Sequence, residues 1–241
     1  MAIYITGDTH GDLERLLPNN FDEDGLTRDD FVIVLGDFAI PWFSPESRED
    51  RHWLDWLTLR PYTLLFVDGN HENFAALATY PVVEGFGGAV RRLRENVFHL
   101  RRGEVYEIDG RTFFAMGGAY SIDRAWRTEG SSWWPQEIPG ADERAQAEAK
   151  IAEVGVVDYV LTHCPPAQEL RELACDVDFP AMSDKYNEWL QAEVADKLKF
   201  GQWFYGHMHL DRWHRRPYTP LFECIYDLDG AGRAPFGPHA D

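Results

Sequence analysis

The chain has 241 residues, of which 44% are hydrophobic and 14% aromatic with 9 Trp among them, enough for a substantial core and incompatible with a disordered chain. Its formal net charge is -18 with no basic cluster, which disfavours a nucleic-acid partner and leaves a solvated acidic surface as the plain reading. The widely spaced Cys164, Cys175 and Cys224 form neither a zinc ribbon nor a redox pair. With no leader-like start and no run near ~18 apolar residues, they give the expectation of a soluble, cytoplasmic protein without a membrane partner.

No Pro/Gly/Ser-rich linker divides the sequence, so residues 1–241 are expected to form a single domain. The β-branched run Ile3-Tyr-Ile-Thr6 reads as a strand. It stops at Gly7-Asp8-Thr9-His10-Gly11-Asp12, and the amphipathic stretch 13–17 after it reads as a short helix with Asp12 as N-cap. Phe31-Val-Ile-Val-Leu35 is apolar throughout, the mark of a strand covered on both faces, and it ends in Gly36-Asp37. Ser44-Pro45-Glu46 then predicts a helix start, with Trp53, Trp56, Leu57 and Arg60 at helical spacing.

The third strand, Thr63-Leu-Leu-Phe-Val67, is closed by Asp68-Gly69-Asn70-His71-Glu72, and Phe74, Leu77 and Ala78 continue as a helical face. Asn70 and His71 thus fall between a strand's carboxyl end and a helix N-terminus, where free N–H groups favour an anion, and Glu72 complements the helix dipole. Residues 104–108 and 112–116 pair across Asp109-Gly110 as an antiparallel hairpin, which makes the sheet arrangement mixed. The aromatic loop 117–137 is too long for a mere connector and reads as a lid or binding wall.

A helix over 141–154 leads to a strand at 156–162, with His163 at its end before Cys164-Pro165-Pro166. A further helix over about 184–198, capped by Ser183, delivers the chain to Phe204-Tyr-Gly-His-Met-His209. In a strand, residues i and i+2 share a face, so His207 and His209 can point at one small object, as can Asp8 and His10. Residues 221–226 add edge strands, and the tail from Gly230 is expected to be loosely held.

Asp8, His10, Asp37, Asn70, His71, His163, His207 and His209 all stand at strand ends, where an open α/β sheet places its ligands. Mixed carboxylate, amide and imidazole donors suit Mn²⁺ first, with Fe or Zn²⁺ as alternatives. So many donors exceed the need of one ion and imply two divalent ions sharing a bridge, for which Asp37 is the choice.

These residues resemble the calcineurin-like metallophosphoesterases, whose pattern is D-x-H, G-D, G-N-H-E/D, a lone H and G-H-x-H. Here the blocks are Asp8-Thr9-His10, Gly36-Asp37, Gly69-Asn70-His71-Glu72, His163 and Gly206-His207-Met208-His209. The resemblance implies an α/β fold in which two mixed β-sheets form a sandwich flanked by helices. It further implies hydrolysis of a phosphomonoester or phosphodiester by a metal-activated hydroxide. One ion would take Asp8, His10, Asp37 and His209, the other Asp37, Asn70, His163 and His207, with His71 contacting the phosphate and protonating the leaving oxygen.

Phosphoprotein phosphatases continue the second block as G-D-x-V-D-R-G and place an arginine soon after G-N-H-E. This chain has Gly36-Asp37-Phe38-Ala39-Ile40-Pro41 and Asn73-Phe74 there, and so lacks both the carboxylate that would partner His71 and the phosphate-binding arginine. Segments 117–124 and 132–137 are similar to those of small bacterial and phage phosphoesterases. Arg124, with Tyr120 or Trp134, is therefore expected to line the approach of a small phosphorylated substrate. A nuclease acting on nucleic-acid ends and a non-catalytic scaffold are the rival readings. His52, His99, His214 and His239 lie outside the blocks and are expected to be structural or surface residues.

Overall fold

The computed structural model describes residues 1–177 and 183–230; the expected loose tail beyond Gly230 and His239 lie outside the described residues. In chain order its elements are β1 (Ile3–Thr6), β2 (Phe31–Leu35), α1 (Arg48–Thr58), β3 (Thr63–Val67), α2 (Phe74–Leu77), β4 (Val82–Gly85), β5 (Gly88–Arg94) and β6 (Val97–Leu100). There follow β7 (Glu104–Ile108), β8 (Arg111–Met116), α3 (Ala141–Val154), β9 (Val156–Thr162), α4 (Ala167–Val177), α5 (Lys185–Trp189), β10 (Lys199–Tyr205), β11 (Tyr218–Pro220) and β12 (Ile225–Asp227).

The strands form two mixed sheets flanked by helices, as expected. One has seven strands in the order β12-β1-β2-β3-β6-β5-β4, the other five in the order β11-β10-β9-β8-β7. β1, β2 and β3 run parallel, as do β8, β9 and β10, so the carboxyl ends of each set open at one edge.

The two-residue period of a strand explains why β2 is apolar at every position. Ile33 and Leu35 face the core between the sheets, with Leu65, Val67, Phe113, Leu161 and Phe204. Val32 and Val34 face outward and pack with Leu54 and Leu57 of α1. On the far side of the five-stranded sheet, Phe114, Val160 and Trp203 meet Ile151 of α3 together with Leu190 and Val194. Each such fully buried side chain contributes about 1.5–3 kcal/mol relative to exposure.

Several helix starts differ from expectation. α1 is capped by Ser47, not Ser44, through a reciprocal box with Asp50. The Asp50 carboxylate also accepts the Trp42 and Phe43 N–H groups, which folds residues 42–47 over the helix start. The cap of α5 is Asp184, whose carboxylate accepts from the Tyr186 and Asn187 N–H groups, while the hydroxyl of Ser183 donates to Glu188. That helix widens into a π-turn over Leu190–Ala195 before reaching β10. Stretch 13–17 holds only a 3-10 turn, Glu14–Leu16, with Asp12 accepting the Glu14 N–H just before it. β4 and β5 form a hairpin across Phe86-Gly87, both with positive φ, a turn the sequence reading passed over.

Candidate metal centre

The candidate ligands do not lie on strand faces. β1 ends at Thr6, β2 at Leu35 and β10 at Tyr205, and beyond them His10, Asp37, His207 and His209 adopt left-handed backbone with φ of 49°, 48°, 62° and 50°. The i/i+2 argument from strand geometry is therefore replaced by one from turns: a left-handed residue reverses the chain sharply and aims successive side chains at one point. A Cβ at Gly206 would meet Asp8 Oδ1 at 2.3 Å, and one at Gly36 would meet His163 Nδ1 at 2.4 Å, so these backbones approach the cluster only as glycine.

Hydrogen bonds tie the loops together. The His10 N–H donates to the Asp37 carbonyl at 2.7 Å, and the Gly206 N–H to the His163 carbonyl at 2.9 Å. His163 Nδ1 lies 2.7 Å from the Leu35 carbonyl. A carbonyl only accepts, so Nδ1 carries the proton and Nε2 is left as the ligating nitrogen. The two carboxylates are each steadied by one backbone N–H: His207 donates to Asp8 Oδ1 at 2.8 Å, and His71 to Asp37 Oδ1 at 2.7 Å.

What converges inside is an excess of acceptors. His163 Nε2 lies 3.1 Å from Asn70 Oδ1 and 3.3 Å from Asp37 Oδ1. His10 Nε2 and His209 Nε2 face each other at 3.1 Å, with Asp8 Oδ2 3.2 Å from the second and 3.8 Å from the first. Asp8 Oδ2 is buried and receives no hydrogen bond at all. Lone pairs aimed at one another, around a carboxylate oxygen without a donor, need cations between them.

Among the described residues, three groups have donor atoms within 4.8 Å of one another: Asp8, His10 and His209; His10, Asp37 and His71; and Asp8, Asp37 and His163. The sequence-predicted ligands thus come together, and the set fits divalent ions. His207 packs against them, its ring 4.9 Å from that of His163.

Titration behaviour reflects the same crowding. Burial opposes charge on Asp37, yet His163, His71 and His10 hold its carboxyl far below the usual range. Burial likewise opposes a charge on His163, but Asp37 and Asp8 raise its imidazole to about 10, a proton standing where a cation would serve. Desolvation, then His163, lowers His207 to about 4, which leaves it a neutral donor. The neighbouring Asp8 carboxylate raises His209, whose ring stacks on Phe222 at 4.3 Å.

The surrounding residues hold what the sequence reading missed. The Asn70 Nδ2 donates to Ser121 Oγ at 3.1 Å, and that hydroxyl donates to Glu137 at 2.5 Å, so the amide is turned with Oδ1 toward the cluster. Glu72 does not serve the helix dipole, because Asn73 caps α2. Instead its buried carboxyl, raised to about 8 by burial, Asp37 and Asp68, accepts the Phe38 and Ala39 N–H groups and pins the turn carrying Asp37.

The arginine at His71 is Arg127. Its terminal nitrogen lies 2.5 Å from His71 Nε2, while its Nε pairs with Asp123 at 2.8 Å and Nη1 donates to the Ser132 carbonyl at 3.2 Å. Arg124 lies over the Trp133 ring, 3.9 Å from its centroid, and Trp134 is buried edge-on to Trp42. Of the expected substrate-approach residues, Tyr120 reaches the cavity above the cluster. The Asp123/Arg127 pair at i and i+4 was the available signal for Arg127.

The profile of the calcineurin-like phosphoesterase family matches residues 1–211. The chain belongs to this family. It is accordingly a metal-dependent phosphoric ester hydrolase. No curated protein matches the chain. Among solved structures it is similar to a phosphopantetheinyl hydrolase from Mycobacterium tuberculosis, at 18% identity over 92% of this chain and 88% of that one, with a TM-score of 0.45. It is also similar to a Staphylococcus aureus protein solved as a 5′-nucleotidase, at 14% identity over 92% of this chain and 48% of that one, with a TM-score of 0.46.

Among the described residues, two cavities border the cluster of this phosphoesterase. One of about 460 Å³ is lined by Asn70, His207 and His209 together with Tyr120, Ile122 and Met208. The other, of about 390 Å³, is lined by Ala39, Ile40, Trp42, Phe43 and Trp53; His10 and His71 border both. No described helix is long and apolar enough to cross a membrane.

Proposed function

We propose that the chain is one phosphoesterase domain that uses two divalent ions to hydrolyse a small phosphorylated substrate. The observation that carries this reading is the convergence of donor-poor acceptors around the unsatisfied Asp8 Oδ2. Asp8, His10, Asp37 and His209 would hold one ion and Asp37, Asn70, His163 and His207 the other, with Asp37 the shared carboxylate. Mn²⁺ suits this oxygen- and imidazole-rich set, and Fe or Zn²⁺ are its competitors. When bound, such ions supply Lewis acidity to a phosphoryl oxygen and acidify water.

The chain's own residues supply the rest. Arg127, fixed at Nε and Nη1, aims its remaining nitrogen at His71, and a phosphate oxygen arriving there would take that charged donor. His71 faces the same space. Desolvation, then Arg127 and His10, lowers its pKa against the pull of Asp37, so the ring is neutral while Arg127 donates to it, and once protonated by an arriving substrate it would be a strong acid toward a departing oxygen. Tyr120 borders the substrate's path, and Arg124 and Trp134 shape the loop that carries Arg127. Three free cysteines, two of them buried, accord with a reducing, cytoplasmic setting.

The deciding experiment is metal analysis of the purified protein together with turnover of a phosphate ester after Mn²⁺ addition. Asp37→Asn and His207→Ala are expected to lower metal content and abolish turnover. Full activity in either variant would reject the two-ion arrangement.

A further inference from the structure

We infer that the substrate is a phosphodiester whose two ester arms are uncharged and apolar or aromatic, one arm seated in each of the two cavities that meet at His10 and His71. The inference rests on the phosphoesterase reading above and settles what lies on either side of the phosphorus. A monoester has one organic substituent and needs one cavity. Here the space beyond His10 and His71 is open on both sides, at about 460 Å³ and about 390 Å³, each large enough for a ring-sized group.

Both cavities carry exposed bulky apolar side chains at their mouths, beside acidic ones. Phe43 is 56% exposed at the mouth of one, and Tyr120 and Ile122 are 42% and 86% exposed at the mouth of the other. Bulky apolar groups left in water at two cavities that share His10 and His71 mark surfaces that an apolar ligand covers.

Charge gives an independent reason. Among the described residues no lysine or arginine lines either cavity, whereas Glu49 and Asp50 line one and Asp123 and Asp184 the other. Arg127 is thus the one guanidinium placed at His71, and its own charge is shared with Asp123. With the ions charging the centre itself, this acidic lining bears on the arms, and it repels those that carry further phosphates.

Three probes with the same leaving group test this in the Mn²⁺-loaded protein: p-nitrophenyl phosphate, methyl p-nitrophenyl phosphate and phenyl p-nitrophenyl phosphate. The phenyl diester is expected to give the highest kcat/KM, above the methyl diester by about tenfold or more, the scale of one filled apolar pocket. Phe43→Ser and Ile122→Ser, both at exposed positions, should each lower the phenyl-to-methyl ratio, with unchanged thermal melting confirming the fold. A monoester turned over faster than either diester overturns the inference and leaves the phosphoesterase reading standing. Equal rates for the two diesters, or an unaltered ratio in both variants, remove the second-arm cavity. Hydrolysis of none of the three defeats both readings.

Discussion

Arg127 and Ser121 show how single side chains complete this centre from the loop between β8 and α3. Removing Arg127 takes away a charged hydrogen bond worth about 1.5–3 kcal/mol, so Arg127→Ala is expected to lower kcat/KM about 10- to 100-fold in steady-state assays. Arg127→Lys should recover part of the loss, because it restores the charge and not the fork. Ser121 acts on Asn70, whose amide it fixes by accepting from Nδ2 at 3.1 Å. With that contact gone in Ser121→Ala, metal affinity is expected to fall about 10- to 100-fold in competition with a chelating dye. An unchanged affinity would show that Asn70 orients without help. The ligand blocks themselves were legible because each joins a distinctive residue pair to the end of an apolar run. Arg127 was signalled by no more than its spacing from Asp123, and it is the 3-10 turn Arg124–Trp126 that sets which guanidinium turns inward.

Among elements, the buried Arg102 joins the end of β3, the loop 117–137 and α3. It donates to Asp68 at 2.9 Å through Nε, to the Gln136 carbonyl at 2.8 Å and to Glu143 at 3.1 Å. Asp68→Asn would leave this buried cation only the half-exposed Glu143 as a counter-charge and is expected to cost about 3 kcal/mol in chemical denaturation. Burial works against the Asp68 charge, but Arg102 and His99 together lower its pKa from 3.8 to about 2. A depressed carboxyl stabilises the fold fully above its unfolded value of 3.8, and that contribution is lost as pH falls toward about 2. Stability of the wild type should therefore drop more steeply than that of Asp68→Asn across this acid window. Strands β1, β2, β3 and the β7–β8 hairpin were readable, since continuous apolar runs and Asp109-Gly110 are strong local signals. The turns that follow the strands were placed, but their side chains were aimed by strand geometry, because backbone that reverses at a non-glycine residue carries no propensity signature; contacts with Asp8, Asp37, Glu72 and Leu35 hold it there. Likewise Ser44-Pro45-Glu46 imitates a helix start that the Asp50 carboxylate moves to Ser47.

At the scale of the molecule, the candidate ligands arrive from both sheets: Asp8, His10, Asp37 and Asn70 follow β1, β2 and β3, whereas His163, His207 and His209 follow β9 and β10. Metal that binds only the folded chain stabilises it by about 2.7 kcal/mol when free ion is at about 100 times Kd. For a chain of this length that is a rise in Tm of about 5–11 °C. Calorimetry of chelator-treated and Mn²⁺-reconstituted protein should show it, and coincident melting curves would argue against a site assembled across the sandwich. The His163-to-Leu35 hydrogen bond, a 2.7 Å contact from one layer to the other, has a mechanical consequence. Sliding of one sheet over its neighbour changes the spacing between the two halves of the ligand set directly, with no flexible linker to absorb it. Any pressure, cosolvent or distant cavity-forming substitution that shears the layers should therefore register first as a change in metal exchange rate, before secondary structure is lost.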